Sequence, residues 1–177
     1  MQIITQLAEQ LGQQLLKHNA FVSTAESCTG GGIAEAITRI AGSSAWFEVG
    51  FVTYSNRQKM RVLQVAEADL LRDGAVSQSV VEGMARGAQQ LSGAQYAVAV
   101  SGVAGPAGGS LEKPVGTVWL AWAQGTQVQS ACWLFAGDRQ AVRQQTVQAA
   151  LAGLICVMQG RAANDWQRWL KKHLPNQ

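Results

Sequence analysis

The chain has 177 residues, 47% of them hydrophobic and 14% charged, with a net charge of +3. That length fits one ordinary domain. The apolar share excludes a disordered chain, and no stretch approaches the roughly 20 apolar residues of a membrane span. From Gly160 onward Arg161, Arg168, Lys171 and Lys172 stand against Asp165 alone, so residues 1–159 carry no net charge. A neutral body offers no basic stripe to nucleic acid, and the basic tail reads as a solvated helix face. The expected division is a body over 1–159 and a basic amphipathic tail helix over 160–177. Cys28, Cys132 and Cys156 form no CxxC pair, and the histidines are His18 and His173. These residues supply no zinc set, so no metal is expected. Met1 to Gln14 lacks the basic start and apolar core of a secretory signal, and sparse cysteine fits a reducing cytoplasm.

Two hydrophobic periods alternate along the chain. Ile4, Leu7, Leu11 and Leu15 predict a helix over 3–18, and Phe21 to Ala25 a short strand. Ile33, Ile37 and Ile40 predict a helix from Thr29 to Ile40. Phe47 to Thr53 reads as a strand and Glu67 to Arg72 as a short helix. Ser79 and Glu82 have capping-box spacing ahead of a helix through Met84, Ala85, Ala88 and Leu91. Tyr96 to Val100 is a buried-type strand. Gly102 to Pro114 holds four glycines and two prolines and must be a loop. Val115 to Ala123 and Val128 to Phe135 flank a Gln-Gly-Thr-Gln turn and predict an antiparallel hairpin. Asp138 is a good N-cap for a long helix through Leu154 and Ile155. A last amphipathic piece carries Trp166, Trp169 and Leu170. The alternation predicts a three-layer α/β/α sandwich on a mixed sheet.

Four segments could carry chemistry. His18 and His173 both read as surface residues, so a histidine base is not expected. Ala25-Glu26-Ser27-Cys28-Thr29-Gly30-Gly31-Gly32 lies between a strand and a helix, where open α/β folds bind ligands. Its N–H groups can hold an oxyanion; equally, Ser27 or Thr29 can simply cap the helix. Phe51 to Lys59 begins at a strand end. If that strand lies parallel to or beside the first, Lys59 can reach Ser27. A lysine base must be neutral, which needs its pKa brought down by burial or by Arg57 or Arg61. Tyr54 can relay a proton or orient the amine; the commoner fate of such a lysine is a surface helix start. Ser101 to Ser110 can form an anion nest or a plain surface loop. It lacks the Lys-Ser/Thr ending of a P-loop, and no helix follows at dinucleotide spacing. Arg139 opposes the helix dipole, which points to a phosphate or carboxylate partner, a salt bridge to Asp138 or Glu26 being the plain alternative.

Thr24-Ala25-Glu26-Ser27-Cys28-Thr29-Gly30-Gly31, Gly50-Phe51-Val52-Thr53-Tyr54-Ser55-Asn56 with Lys59, Ser101-Gly102-Val103-Ala104-Gly105-Pro106, and Gly137-Asp138-Arg139 with Arg143 occur in that order. This set closely resembles the CinA carboxy-terminal domain family over residues 3–158. Ala41-Gly42-Ser43-Ser44-Ala45-Trp46-Phe47 is similar to the family as well. The resemblance implies nicotinamide-nucleotide amidase activity: hydrolysis of nicotinamide mononucleotide to nicotinate mononucleotide and ammonia, in pyridine nucleotide recycling toward NAD. It implies Ser27 as nucleophile, Lys59 as base and Tyr54 as assistant, with an oxyanion held by N–H groups near Thr29 and Gly30. Glu26, Thr29, Gly30, Ser44, Gly102, Gly105, Gly109 and Arg139 are the expected substrate contacts. No cofactor is implied. The expected partner is the small nucleotide substrate, with a homo-oligomer and without nucleic acid or membrane. Ala107 departs from the family's Gly or acidic residue after Gly-Pro, and the tail from Gly160 lies outside the pattern. Longer members carry a further domain ahead of this one, whose activity is not expected here. Two rivals stand beside this reading: Cys28 as nucleophile with Glu26 and Lys59, and a nucleotide-binding module without turnover.

Overall fold

The computed structural model describes residues 2–174. One five-stranded mixed sheet runs in the order β2-β1-β3-β4-β5, with β1 Val22–Glu26, β2 Phe47–Val52, β3 Tyr96–Gly102, β4 Thr117–Gln124 and β5 Gln127–Leu134. β1 pairs in parallel with both β2 and β3. The β3–β4 and β4–β5 pairs are antiparallel, so the expected hairpin is present. Helices cover both faces, giving the three layers the alternation predicts.

The strand period decides what each face packs. Tyr96, Val98 and Val100 of β3 join the larger cluster with α1 (Gln2–Lys17), α2 (Gly32–Thr38) and α6 (Arg139–Met158). Ala97 and Ala99 point the other way, with Ala25, Ala121 and Ala123, beneath α5 (Gln78–Ser92). These small side chains let α5 lie close on the sheet, and α3 (Asn56–Leu63) and α4 (Glu67–Asp73) pack against its outer side. Trp122 uses the space left by Gly153 and donates from its indole nitrogen to the Ala150 carbonyl at 3.0 Å.

Asp138 caps α6 as expected, its carboxylate accepting from the Ala141 N–H at 2.8 Å. The Ser79–Glu82 capping box is not formed. Ser77 occupies the cap position, Ser79 donates to Asp73 at 2.6 Å, and Glu82 accepts from Gln78 and Ser130. Ser79 is therefore inside the first turn, where its hydroxyl finds a carboxylate of the preceding helix instead of a backbone donor. The Thr29–Ile40 segment becomes helical only from Gly32 and stops at Thr38. α3 had no predicted element beyond a possible start at Lys59; its cap is Ser55, whose hydroxyl accepts from the Gln58 N–H.

The basic tail helix, α7 (Trp166–His173), packs on α6. Trp166 and Trp169 are buried while Arg168, Lys171 and Lys172 are exposed. Trp166 meets Trp133 edge-on at 5.4 Å, and the Trp169 indole donates to Gln159 at 3.0 Å. The tail is thus solvated on one face only, and its other face covers the body.

Gly87 sits where α5 meets the C-terminal end of α3, and a Cβ there would overlap the Leu63 carbonyl. Gly87→Ala is expected to lower stability by about 2 kcal/mol through overpacking. Urea denaturation should show a lower midpoint with an unchanged slope.

Candidate active site

The parallel register brings three strand ends together. Glu26 stands beside Val52 on one side and Val100 on the other. The Ser27 N–H donates to the Val100 carbonyl at 3.1 Å, and the Thr53 N–H donates to the Glu26 carbonyl at 3.0 Å. Ser27 and Thr53 therefore continue the pairing just past the strands. Lys59 lies in the first turn of α3, and helical side chains lean toward the N-terminus. That lean aims its amine back at the turn it came from.

Lys59 has no exposed surface. Its Nζ lies 3.1 Å from Ser27 Oγ, 2.7 Å from the Thr53 carbonyl and 3.2 Å from the Tyr54 carbonyl. Burial brings its pKa down from 10.5 to about 8, with Cys28 acting weakly in the opposite sense. Arg57 and Arg61, suggested as possible causes, are both exposed on α3. At pH 7.5 roughly a quarter of such amines are neutral, against about one in a thousand for a free lysine.

The strand period also assigns the neighbours of Ser27. Cys28 points into the core with Ile33 and Val100, and burial pushes its thiol up to about 12. A thiol that stays protonated and faces away from the cleft is not a nucleophile, so the Cys28 alternative is withdrawn. Glu26 is fully buried. Its carboxylate accepts from the Thr29 hydroxyl at 2.6 Å, and from the N–H groups of Gly31 at 3.1 Å, Ile33 at 3.0 Å and Ala34 at 2.8 Å. It caps α2, and the Thr29 hydroxyl serves it, so neither of these side-chain groups is turned to a ligand.

The other expected contacts separate. Gly30 adopts φ +60° and its N–H donates to the Ser27 carbonyl at 3.1 Å. It is thus spent on the turn, whereas the Thr29 N–H has no hydrogen-bond acceptor among the described residues. Ser44 precedes β2, and β2 runs parallel to β1, so Ser44 lies at the opposite end of the strands from Ser27. Within this one chain the direction of β2 keeps it apart from Ser27. Gly102, Gly105 and Gly109 have packing reasons to be glycine: a Cβ would crowd Val118 at 2.6 Å from Gly102 and Val115 at 2.5 Å from Gly105, and Gly109 also abuts Val115. The Tyr54 side chain is 62% exposed and its hydroxyl accepts from Arg139 at 3.3 Å. Its main-chain carbonyl, not its hydroxyl, meets Lys59.

Arg139 forms no ion pair with Asp138 or Glu26. Its guanidinium donates to the Gly105 carbonyl at 2.9 Å, and that of Arg143 to the Thr29 carbonyl at 2.7 Å. Two turns of α6 thus tie the Ser27 turn, the glycine loop and Tyr54 to one another. Between them opens a cleft of about 880 Å³, lined by Thr29, Gly32, Ala104, Pro106, Arg139 and Arg143 among others. Ser27 and Lys59 are not in its lining, which reaches the Ser27 turn at Thr29. Among the described residues no group of His, Cys, Asp or Glu side chains is placed to hold a metal ion, and no helix is long and apolar enough to cross a membrane.

Residues 4–158 match the family model described as the CinA C-terminal domain. The chain belongs to the CinA C-terminal domain family. Two curated relatives share the name nicotinamide-nucleotide amidohydrolase PncC. The Pseudomonas putida protein is 66% identical over 155 residues, 88% of this chain and 97% of that one. The Escherichia coli K12 protein is 52% identical over 171 residues, 95% of this chain and 96% of that one. Among solved structures, the competence/damage inducible protein CihA from Agrobacterium tumefaciens superimposes with a TM-score of 0.86. It is 45% identical and covers 89% of this chain and 96% of its own. The fold of this CinA-family chain is therefore the α/β/α sandwich of solved relatives.

Sequence reasoning on this family member missed the role of Glu26. A signal was available: an acidic residue followed within eight positions by a glycine-rich helix start. Glu26→Gln is expected to lower stability by about 3 kcal/mol, because an amide cannot accept from all four donors as a carboxylate does. Thermal or urea unfolding checks this. A loss confined to substrate affinity, with stability unchanged, would contradict the capping role.

Proposed function

We propose that this chain is an amidohydrolase that converts nicotinamide mononucleotide to nicotinate mononucleotide and ammonia, with Ser27 as nucleophile and Lys59 as general base. The observation that carries the proposal is the set of three contacts around the buried amine. A neutral amine has two N–H donors and one lone pair. The carbonyls of Thr53 and Tyr54 can only accept, so they take the two N–H groups. The lone pair is left for the Ser27 hydroxyl, the one partner of the three with a proton to give.

In the first step the Ser27 proton passes to Lys59 as Oγ bonds to the carboxamide carbon. The Thr29 N–H follows the nucleophile closely and is free to receive the oxyanion, a contact worth about 3 kcal/mol. The carbon–nitrogen bond then breaks as the Lys59 ammonium returns its proton to the leaving nitrogen. Water, deprotonated by the same amine, releases the acyl group. Tyr54 assists through its carbonyl, which orients the amine. No step calls for a cofactor.

The cleft volume suits a mononucleotide. Arg139 and Arg143 have no acidic partner among the described residues, which leaves their charge to a phosphate. The name shared by the Pseudomonas putida and Escherichia coli relatives supports the substrate assignment. The same reading places the enzyme in the cytoplasm, returning pyridine nucleotide to NAD synthesis.

Ammonia release from nicotinamide mononucleotide is the direct test. Ser27→Ala and Lys59→Ala are each expected to lose about 10³-fold or more of kcat while remaining folded. If wild type binds the nucleotide and liberates no ammonia, the chain is a binding module and the proposal fails.

A base that must be neutral also sets the pH profile. Below a pKa of about 8, kcat/KM should rise tenfold per pH unit as Lys59 loses its proton, then level off above it. Lys59→Arg should be inactive across the range, since guanidinium does not deprotonate. A flat profile between pH 6 and 9 would exclude Lys59 as the base.

A further inference from the structure

The cleft continues beyond Arg139 and Arg143. α2 starts just past the Ser27 turn and α6 starts at Arg139, and both lead away from the site with the cleft between them. Near the turn, Arg143 donates to the Thr29 carbonyl, and Val147 packs at Gly32, where a Cβ would stand 3.3 Å from its methyl. Further along α2 the wall is built by Glu35 and then Arg39, with Ile4 of α1 beside them. At about 880 Å³ the cleft is near the top of the usual range for small-molecule sites, roughly 300–1,000 Å³, so there is room past the two arginines.

Glu35 and Asp138 are the acidic residues of the cleft wall. Asp138 is spent on capping α6. Glu35 accepts from Arg39 through both oxygens, from Nε at 3.1 Å and from Nη2 at 2.6 Å. Arg39 is anchored in turn by Nη1, which donates to the Thr5 hydroxyl at 2.9 Å. The carboxylate is thereby held at one place in the wall. With 61% of its side chain exposed, it still faces a ligand that enters the cleft.

We propose that Glu35, fixed by Arg39, selects a pyridine mononucleotide over a pyridine dinucleotide. This rests on the amidase reading above, with the phosphate held by Arg139 and Arg143. A mononucleotide ends at that phosphate. A dinucleotide carries a second phosphate joined to the first and a further nucleoside beyond it, and the room for them lies along α2. There the second phosphate meets a carboxylate. A repulsive group set against one of two ligands is a direct route to discrimination between them. Arg39 offsets part of the Glu35 charge, so the two residues act in opposite directions. Glu35 opposes the dinucleotide and Arg39 tempers that opposition. Neither touches the reacting atoms.

NAD is the probe. Its Ki is measured against formation of nicotinate mononucleotide from nicotinamide mononucleotide, in wild type, Glu35→Gln and Arg39→Gln. Glu35→Gln should lower the Ki about 5- to 10-fold and Arg39→Gln should raise it about threefold, with KM for the mononucleotide within about twofold in both. Both shifts should shrink as salt rises from about 0.05 to about 0.5 M, because the charges involved are exposed. Lost packing alone would move the two variants in the same direction. An unchanged Ki in Glu35→Gln, or shifts of the same sign in both variants, overturns the role of Glu35 while leaving the Ser27–Lys59 dyad standing. Failure of wild type to hydrolyse the mononucleotide removes the amidase reading itself.

Discussion

The buried amine of Lys59 is the constraint around which the site is arranged. Protonating it inside the fold is harder than in water by roughly 3 kcal/mol, the equivalent of its lowered pKa. The fold tolerates this because the β2–α3 turn presents two carbonyls to the amine, so the neutral form loses little hydrogen bonding on burial. The same turn that holds Lys59 also continues the pairing of β2 with β1, through the Thr53 N–H and the Glu26 carbonyl. The segment carrying the base and the strand carrying the nucleophile are therefore joined by main chain.

Strand alternation then gives three successive residues three different roles. Glu26 faces α2 and caps it, Ser27 faces α3 and meets the amine, and Cys28 turns back into the core. A slip of one residue in the β1 register would exchange these faces and place a carboxylate beside Lys59. A carboxylate there would hold the amine protonated, the reverse of what burial achieves. β1 is well protected against such a slip, since it is paired on both sides and buried along its whole length.

Much of this was legible before the coordinates. Apolar runs mark every strand, Asp138 marks the long helix, and the approach of Lys59 to Ser27 follows once the two strands are read as parallel. What was not legible depends on facing. The capping box at Ser79 and Glu82 has the right spacing, but Asp73 of the preceding helix captures the Ser79 hydroxyl. Glu26 looks like a polar residue offered to a ligand until four donors are seen to surround it. Ser44 belongs to a segment similar to the family, and only the direction of β2 shows that within the chain it lies at the other end of the strands. α3 was obscure because its sequence, NRQKMRVL, is polar at most positions. Its burial rests on the few side chains that face α5 and the site.

The two halves of the site differ in how they are assembled. Ser27 and Lys59 are 32 residues apart and are brought together by the β1–β2 pairing and one short helix. The cleft depends on α6, whose Arg143 reaches back 114 residues to the Thr29 carbonyl. That arginine holds the turn bearing the free N–H of Thr29, so α6 lies against both the cleft and the expected oxyanion position. α6 is in turn packed against α1 and the tail helix. Distant packing on α6 thus has a path to chemistry through Arg143 and the Ser27 turn that it holds.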